Sequence, residues 1–230
     1  WKALALVMID EQHRFGVEQR LTLREAARQS TGFDPHTLAM TATPIPRTLS
    51  MTVWGDLEVS VIKELPPGRQ PVHTRAFRLD RLAEPFELAE QELQRGRQIF
   101  VVLPLVRESE KVDLADAERV YEQLRQSPLA RFGVALLHGQ MPHEDKQAIM
   151  ESFREGSVRV LVSTTVVEVG VDVPEASIMM IWHAERFGLS QLHQLRGRVG
   201  RGAHASRCFL LHDPNCGQTA RHRLRVLENS

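Results

Sequence analysis

The sequence predicts an α/β fold, a mostly parallel sheet with helices on its faces, from three observations. Short apolar runs alternate with longer amphipathic stretches, the pattern of strands joined by crossover helices. Several runs are too continuously apolar for a strand wetted on one side, so both faces of the sheet are expected to be covered. With 42% hydrophobic and 25% charged residues over 230 positions, the composition is that of an ordinary globular chain with room for one large or two small domains.

Strands are expected at 3–9, 37–41, 72–77, 99–103, 134–137, 158–163, 177–181 and 208–211. The first is apolar throughout and far too short to span a bilayer. Helices are expected at 18–29, 82–94, 114–126 and 143–155, where apolar residues recur at three- and four-residue spacing, as Leu114, Ala117, Val120 and Leu124 do. The segment 64–71, Glu-Leu-Pro-Pro-Gly-Arg-Gln-Pro, reads as a semi-rigid extended connection. It divides a part at 1–65, with room for two or three strands, from a part at 72–215 with about six. The linker itself is set at 66–71 and a further region at 216–230. Trp1 opens inside a strand approach with no initiator Met, so the chain is expected to be cut from a longer protein.

Formal net charge is zero, which argues against a protein that coats nucleic acid by bulk electrostatics. The distribution is uneven: from Arg186 to Ser230 there are eight Arg and no Lys against Asp213 and Glu228, about +6. Arginine alone suits planar, bidentate contacts to phosphate. The two cysteines, Cys208 and Cys216, form no CxxC pair and have no clustered His, so neither a disulfide scaffold nor a zinc site is indicated. No basic-then-apolar leader is present, and a cytoplasmic protein with reduced thiols is expected.

Polar residues gather where the apolar runs end, the position at which parallel α/β sheets hold ligands. The run at 3–9 delivers Asp10 and Glu11. Such an Asp holds Mg²⁺ through its water shell, and the adjacent Glu orients or deprotonates an attacking water. A bare strand-Asp-Glu is more often an exposed acidic pair, but Asp10-Glu-Gln-His-Arg-Phe-Gly16 is a far more specific string. Met40-Thr-Ala-Thr-Pro-Ile-Pro-Arg47 ends the next run, with Thr41 and Thr43 in reach of hydrogen bonds to the acidic cluster. His138-Gly139 closes a later strand, where a loop contact to a DNA phosphate competes with a plain turn. In Ser163-Thr-Thr-Val-Val-Glu-Val-Gly-Val-Asp-Val-Pro174, Val166, Val167, Val169 and Val171 read as core. Thr164 or Thr165 is a candidate for a nucleic-acid phosphate, and Gly170 and Asp172 for a nucleotide cleft.

The most specific string is Gln191-Leu-His-Gln-Leu-Arg-Gly-Arg-Val-Gly-Arg-Gly202. Arg198 and Arg201, three apart, are expected on one side of a helical turn, placed as arginine fingers for the spreading charge of a phosphoryl-transfer transition state. Gln194, one turn earlier, is a candidate for nucleotide contact. The alternative is a solvated basic face that binds nucleic-acid backbone.

Taken in order, these strings resemble motifs II, III, V and VI of superfamily 2 helicases. Within the superfamily they are similar to the RecG family, over almost the whole chain, on Asp10 to Val17, Met40 to Leu49, Glu64 to Arg69, Thr164 to Pro174 and Gln191 to Gly202. The resemblance implies two RecA-like lobes of the P-loop NTPase helicase type, the first truncated and the second essentially complete, working with ATP and Mg²⁺. It implies Asp10, Glu11, Arg198 and Arg201 as catalytic residues, and Gln12, His13, Thr41 and Thr43 as the coupling set. It places His138, Gly139, Thr164 and Thr165 on DNA. It also implies branched double-stranded DNA as substrate in recombination and repair, single-strand-binding protein as a further partner, and a monomeric parent. Transcription-repair coupling translocases share much of this motor but usually carry Glu where this chain has Gln12.

The departures count as well. A phosphate-binding loop needs Gly-Lys-Ser/Thr, and Lys2, Lys63, Lys111 and Lys146 follow Trp, Ile, Glu and Asp. By the resemblance, the family's amino-terminal wedge domain is expected to be missing here, 216–230 is expected to begin a translocation-coupling region, and the family is expected to continue past Ser230 into the rest of that motif. By itself the chain is expected neither to hydrolyse ATP nor to unwind DNA. The rival readings are a non-catalytic DNA-binding or docking module working through the Arg-rich tail, and a structural fragment with affinity for neither ligand.

Overall fold

The computed structural model describes residues 5–10, 22, 25–29, 32–41, 58–62, 70–104, 110–164, 173–200, 202 and 204–229. It divides into two compact units, Trp1–Ile62 and Lys63–Ser230. In the first, β1 (Leu6–Ile9) pairs in parallel with β2 (His36–Ala39), from Leu6 against His36 to Ile9 against Ala39. Residues 22 and 25–29 are helical, which accounts for part of the helix expected at 18–29; 18–21, 23–24 and residues 66–69 of the expected linker lie outside the described residues.

The second unit is one six-stranded sheet, parallel throughout, in the order β3-β8-β7-β4-β6-β5. Its strands are β3 (Val72–Arg78), β4 (Gln98–Leu103), β5 (Val134–Leu137), β6 (Val160–Thr164), β7 (Ala176–Ile181) and β8 (Ser206–His212). Among the described residues five helices flank it: α1 (Ala83–Gln94), α2 (Glu110–Arg125), α3 (His143–Glu155), α4 (Leu189–Arg196) and α5 (Gln218–Glu228). The six strands and α1 to α3 lie where the sequence predicts them; α4 and α5 are additional. A 3₁₀ turn at Pro128–Phe132, capped by the Ser127 hydroxyl on the Leu129 N–H, leads into β5.

Why the strands read as continuous apolar runs is visible in β4, all of which is buried. Ile99, Val101 and Leu103 face one side, packing with Leu93 of α1 and Val120 and Leu124 of α2. Phe100 and Val102 face the other, with Phe153 of α3, Leu192 and Leu195 of α4, and Leu224 and Leu227 of α5. The two faces therefore carry separate cores, as a doubly covered parallel sheet requires. Because α5 buries Leu224 and Leu227 in the same core as the strands, residues 218–228 are integral to this unit.

Along the amino-terminal ends of the strands the bonds are structural. Glu92, 5% exposed, accepts from Arg95 (2.7 Å), Arg207 (3.0 Å) and Ser177 (3.4 Å), tying α1 to the starts of β7 and β8. That network supplies the partners a buried carboxylate requires. Both cysteines are free; burial pushes the Cys208 thiol up to about 12, and Cys216 is half-buried. Among the described residues no helix is long and apolar enough to cross a membrane.

Candidate nucleic-acid interface

After β4 the chain builds β5 and β6 on one side, then crosses β4 to add β7 and β8 on the other. Ligands of such sheets bind outside the carboxyl ends of the strands near this reversal. There β6 ends in Ser163 and Thr164, 0% and 2% exposed, and the last register pair with β5 is Leu137 against Ser163. One step further, His138 and Thr164 leave neighbouring strands at the same edge. The Ser163 Oγ, Thr164 Oγ1 and His138 Nδ1 atoms are all buried and have no hydrogen-bond partner among the described residues. Leaving a buried polar group unpaired costs about 1–3 kcal/mol, and among the described residues three of the four buried side-chain atoms without a partner, Thr74 Oγ1 being the fourth, lie at the carboxyl ends of β5 and β6. The Gly139 carbonyl accepts from Lys146 Nζ at 2.5 Å, fastening the loop to α3.

The arginine string folds in two pieces. Leu192 and Leu195 anchor α4 to the core, leaving Gln194 half-exposed. Arg196 holds the structure together, its guanidinium donating to the Leu227 carbonyl at the end of α5 (3.3 Å) and lying 3.4 Å from His193 Nδ1. Burial, with the Arg196 charge beside it, pushes His193 below the usual imidazole range. The helix then stops: Gly197 closes it, and Arg198, half-buried, stands in the turn beyond. Arg198 follows the end of α4, its N–H donating to the Leu195 carbonyl at 3.0 Å, and Arg201, expected on the same side of a helical turn, lies outside the described residues. Gly200 adopts φ +76°, and a Cβ there would lie 2.8 Å from Val72 Cγ2. At Gly202 a Cβ would lie 2.5 Å from the Pro174 carbonyl oxygen, so the arginine loop and the end of the Thr164-to-Pro174 segment touch backbone to backbone.

A cluster the sequence reading passed over lies at the carboxyl ends of β7 and β8. His183, at φ +50°, holds Nδ1 3.1 Å from Glu185 Oε1, while Glu185 Oε2 accepts from the Asp213 N–H at 3.3 Å. Arg223 of α5 donates to the Glu185 carbonyl at 3.0 Å. Burial raises the Glu185 pKa, but the His183 and backbone hydrogen bonds outweigh it and hold the carboxyl below its usual range. His-x-Glu after an apolar run was the available signal.

In the first unit Asp10, exposed, follows β1, and Thr41 leaves the same end of β2, where the Met40 N–H donates to the Ile9 carbonyl at 2.8 Å. An exposed carboxylate at a strand's carboxyl end is hard-oxygen chemistry that fits Mg²⁺ held through water. Glu11, Gln12, His13, Thr43, Thr165, Gly170, Asp172 and Arg201 lie outside the described residues, as do the four valines expected in the core.

Residues 83–203 match the helicase conserved C-terminal domain. Over 230 residues the chain is 50% identical to the ATP-dependent DNA helicase RecG of Synechocystis sp., covering all of this chain and 27% of that protein. Over 231 residues it is 53% identical to RecG of Escherichia coli K12, covering all of this chain and 33% of that one. The solved structure of RecG bound to a three-way DNA junction superposes with a TM-score of 0.74 at 45% identity, over 97% of this chain and 28% of that one. A helicase of different sequence, MrfA bound to DNA, shares the fold at 20% identity and a TM-score of 0.67, over 98% of this chain and 31% of that one. The six-stranded sheet with its helices is therefore the RecA-like lobe expected, and the chain spans about a third of the length of the curated relatives it matches.

Proposed function

The chain belongs to the family of helicase conserved C-terminal domains, and from that premise we propose that it is part of the motor of an ATP-dependent double-stranded-DNA translocase that remodels branched DNA in recombination and repair. In this reading 1–65 belongs to a first motor lobe, 72–215 to a second, 66–71 joins them, and 216–230 begins a translocation-coupling region. The observation that carries the nucleic-acid half is the set of buried polar atoms on His138, Ser163 and Thr164 that have no partner among the described residues, gathered where β5 and β6 end. Hydroxyls and an imidazole at a strand edge suit phosphate oxygens, which position a protein on nucleic acid without reading sequence.

For the nucleotide half, ATP with Mg²⁺ supplies the phosphoryl group whose transfer drives movement. Asp10 would hold the ion's water shell, Glu11 would orient the attacking water, and Arg198 with Arg201 would neutralise charge developing on the phosphate. Gly170, Asp172 and Gln194 would line the nucleotide, with Gln12, His13, Thr41 and Thr43 relaying its state. Placing Arg198 in a turn just beyond α4, whose Leu192 and Leu195 are buried, suits this role, because the helix fixes where that turn begins. The 230 residues hold no Gly-Lys-Ser/Thr, so we propose that they do not turn over ATP unaided.

Steady-state ATPase assays with and without a three-way junction test this, on the chain and on a protein extended upstream through a phosphate-binding loop, each beside its Arg201→Ala variant. Turnover only in the extended protein, falling at least about a hundredfold with Arg201→Ala, is the expected result. An extended protein inactive with DNA present would replace this reading with the binding module.

A further inference from the structure

We propose that the exposed face of α5, carrying Arg221, His222 and Arg225, is a second contact for the phosphate backbone of duplex DNA, apart from the His138 and Thr164 edge. The inference rests on the DNA-motor reading and adds a surface that reading does not use.

Two clefts flank the same pair of arginines. One, of about 310 Å³, is bordered by Arg78, His212, Arg221, Arg225 and Glu228. The other, of about 540 Å³, is bordered by Gln218, Thr219, Arg221, His222 and Arg225. The acids near the first are already engaged. Asp80 forms a two-pronged pair with Arg78 (2.6 and 2.9 Å), and Glu228 Oε1 accepts the Ala76 N–H (2.9 Å), which covers the outer edge of β3. Arg221 gives one N–H to the Pro214 carbonyl (2.7 Å), which orients its guanidinium and leaves its remaining donors. Neither the Arg225 nor the His222 side chain forms a hydrogen bond or ion pair with another described residue. The helix thus buries Leu224 and Leu227 and presents unneutralised cations on its opposite side.

The position suggests the occupant. Arg78 and His212 are the last residues of β3 and β8, so the first cleft opens at the same carboxyl edge of the sheet as His138 and Thr164. The β3-β8 and β6-β5 pairs lie four strand positions apart in the sheet order, roughly 19 Å at about 4.8 Å per strand. That is about six base-pair steps of duplex. One double helix crossing this edge meets the hydroxyls at one end and the arginines at the other. An acidic polypeptide offers the guanidinium groups similar charge, but it does not present a phosphate ladder to both places.

The test is fluorescence anisotropy of a labelled three-way junction and a labelled linear duplex across a salt series, for the chain and its variants. If both arginines touch phosphate, Arg221→Ala/Arg225→Ala lowers the slope of log affinity against log salt by roughly 2, so the affinity lost between about 50 and 200 mM salt shrinks about tenfold. The charge-matched variant Arg119→Ala/Arg125→Ala, on α2 against the other face of the sheet, keeps the wild-type slope. Arg221→Lys/Arg225→Lys also keeps the slope, since the charges remain, and guards against a folding defect in the alanine pair. An unchanged slope in the alanine pair, or an equal fall in the α2 pair, overturns the proposal while leaving the DNA-motor reading intact. A wild-type chain with no salt-sensitive DNA binding overturns both.

Discussion

Thr164→Val separates a functional hydroxyl from a structural one by sign. The substitution keeps the β-branched shape that suits a strand and deletes an oxygen that is buried, 2% exposed as a residue, and has no partner among the described residues. If that oxygen is unsatisfied, its removal returns about 1–3 kcal/mol to the folded state. For a unit of this size, each kcal/mol moves Tm by about 2–4 °C. Thermal unfolding without DNA should therefore rise by at least about 2 °C, where Thr→Val in a well-satisfied core lowers it. Binding should move the opposite way, because a hydrogen bond to a charged phosphate is worth about 1.5–3 kcal/mol, or roughly 10- to 100-fold in affinity. Calorimetry and junction anisotropy on the same preparation read both quantities. A fall in Tm would mean that the hydroxyl is satisfied in the free protein, and the argument that this edge awaits a ligand would collapse.

Other consequences can be checked independently. Gly200→Ala places a Cβ at positive φ and 2.8 Å from Val72 Cγ2, and should cost about 2 kcal/mol; adding Val72→Ala should recover about half in a urea-unfolding double-mutant cycle, whereas strict additivity would deny the contact. A thiol reagent should label Cys216 and spare Cys208 in the native protein, both reacting once it is denatured; peptide mapping that finds Cys208 modified first contradicts the burial that pushes its thiol to about 12. The Glu185 carboxyl sits below its unfolded value, so its stabilisation is complete above the usual carboxylate range and disappears as pH falls through the depressed one. Glu185→Gln should flatten the acid limb of a stability–pH curve, and identical limbs would remove Glu185 from that balance.

What was legible in the sequence is what burial on two faces writes into it. Ile99 to Leu103 reads as a strand because each residue meets a core, and 143–155 reads as a helix because Ile149 and Phe153 recur one turn apart. The order of the strands was not legible, since β8 reaches its place beside β3 only through packing across the whole chain. α5 escaped notice because it buries only Leu224 and Leu227 while arginines crowd its exposed side. α4 escaped because the arginine string invites a functional reading from end to end, although Arg196 is occupied with the Leu227 carbonyl. Of the site, motif order located the polar residues, but a missing partner is a property of surroundings. Ser163, between Val162 and Thr164, looks like any strand residue until its hydroxyl is found buried and without a partner among the described residues.

The close approach of Gly202 to the Pro174 carbonyl leaves these two backbone positions no lost motion relative to each other. Where side chains separate two loops, a displacement of one can be absorbed by a rotamer change. Here a Cα rests against a carbonyl, and no torsion is available to take up slack. A displacement of Gly202 toward Pro174 therefore meets backbone at once, as between meshed teeth cut without backlash. Any side chain larger than hydrogen at 202 would hold the two loops apart and make the setting permanent.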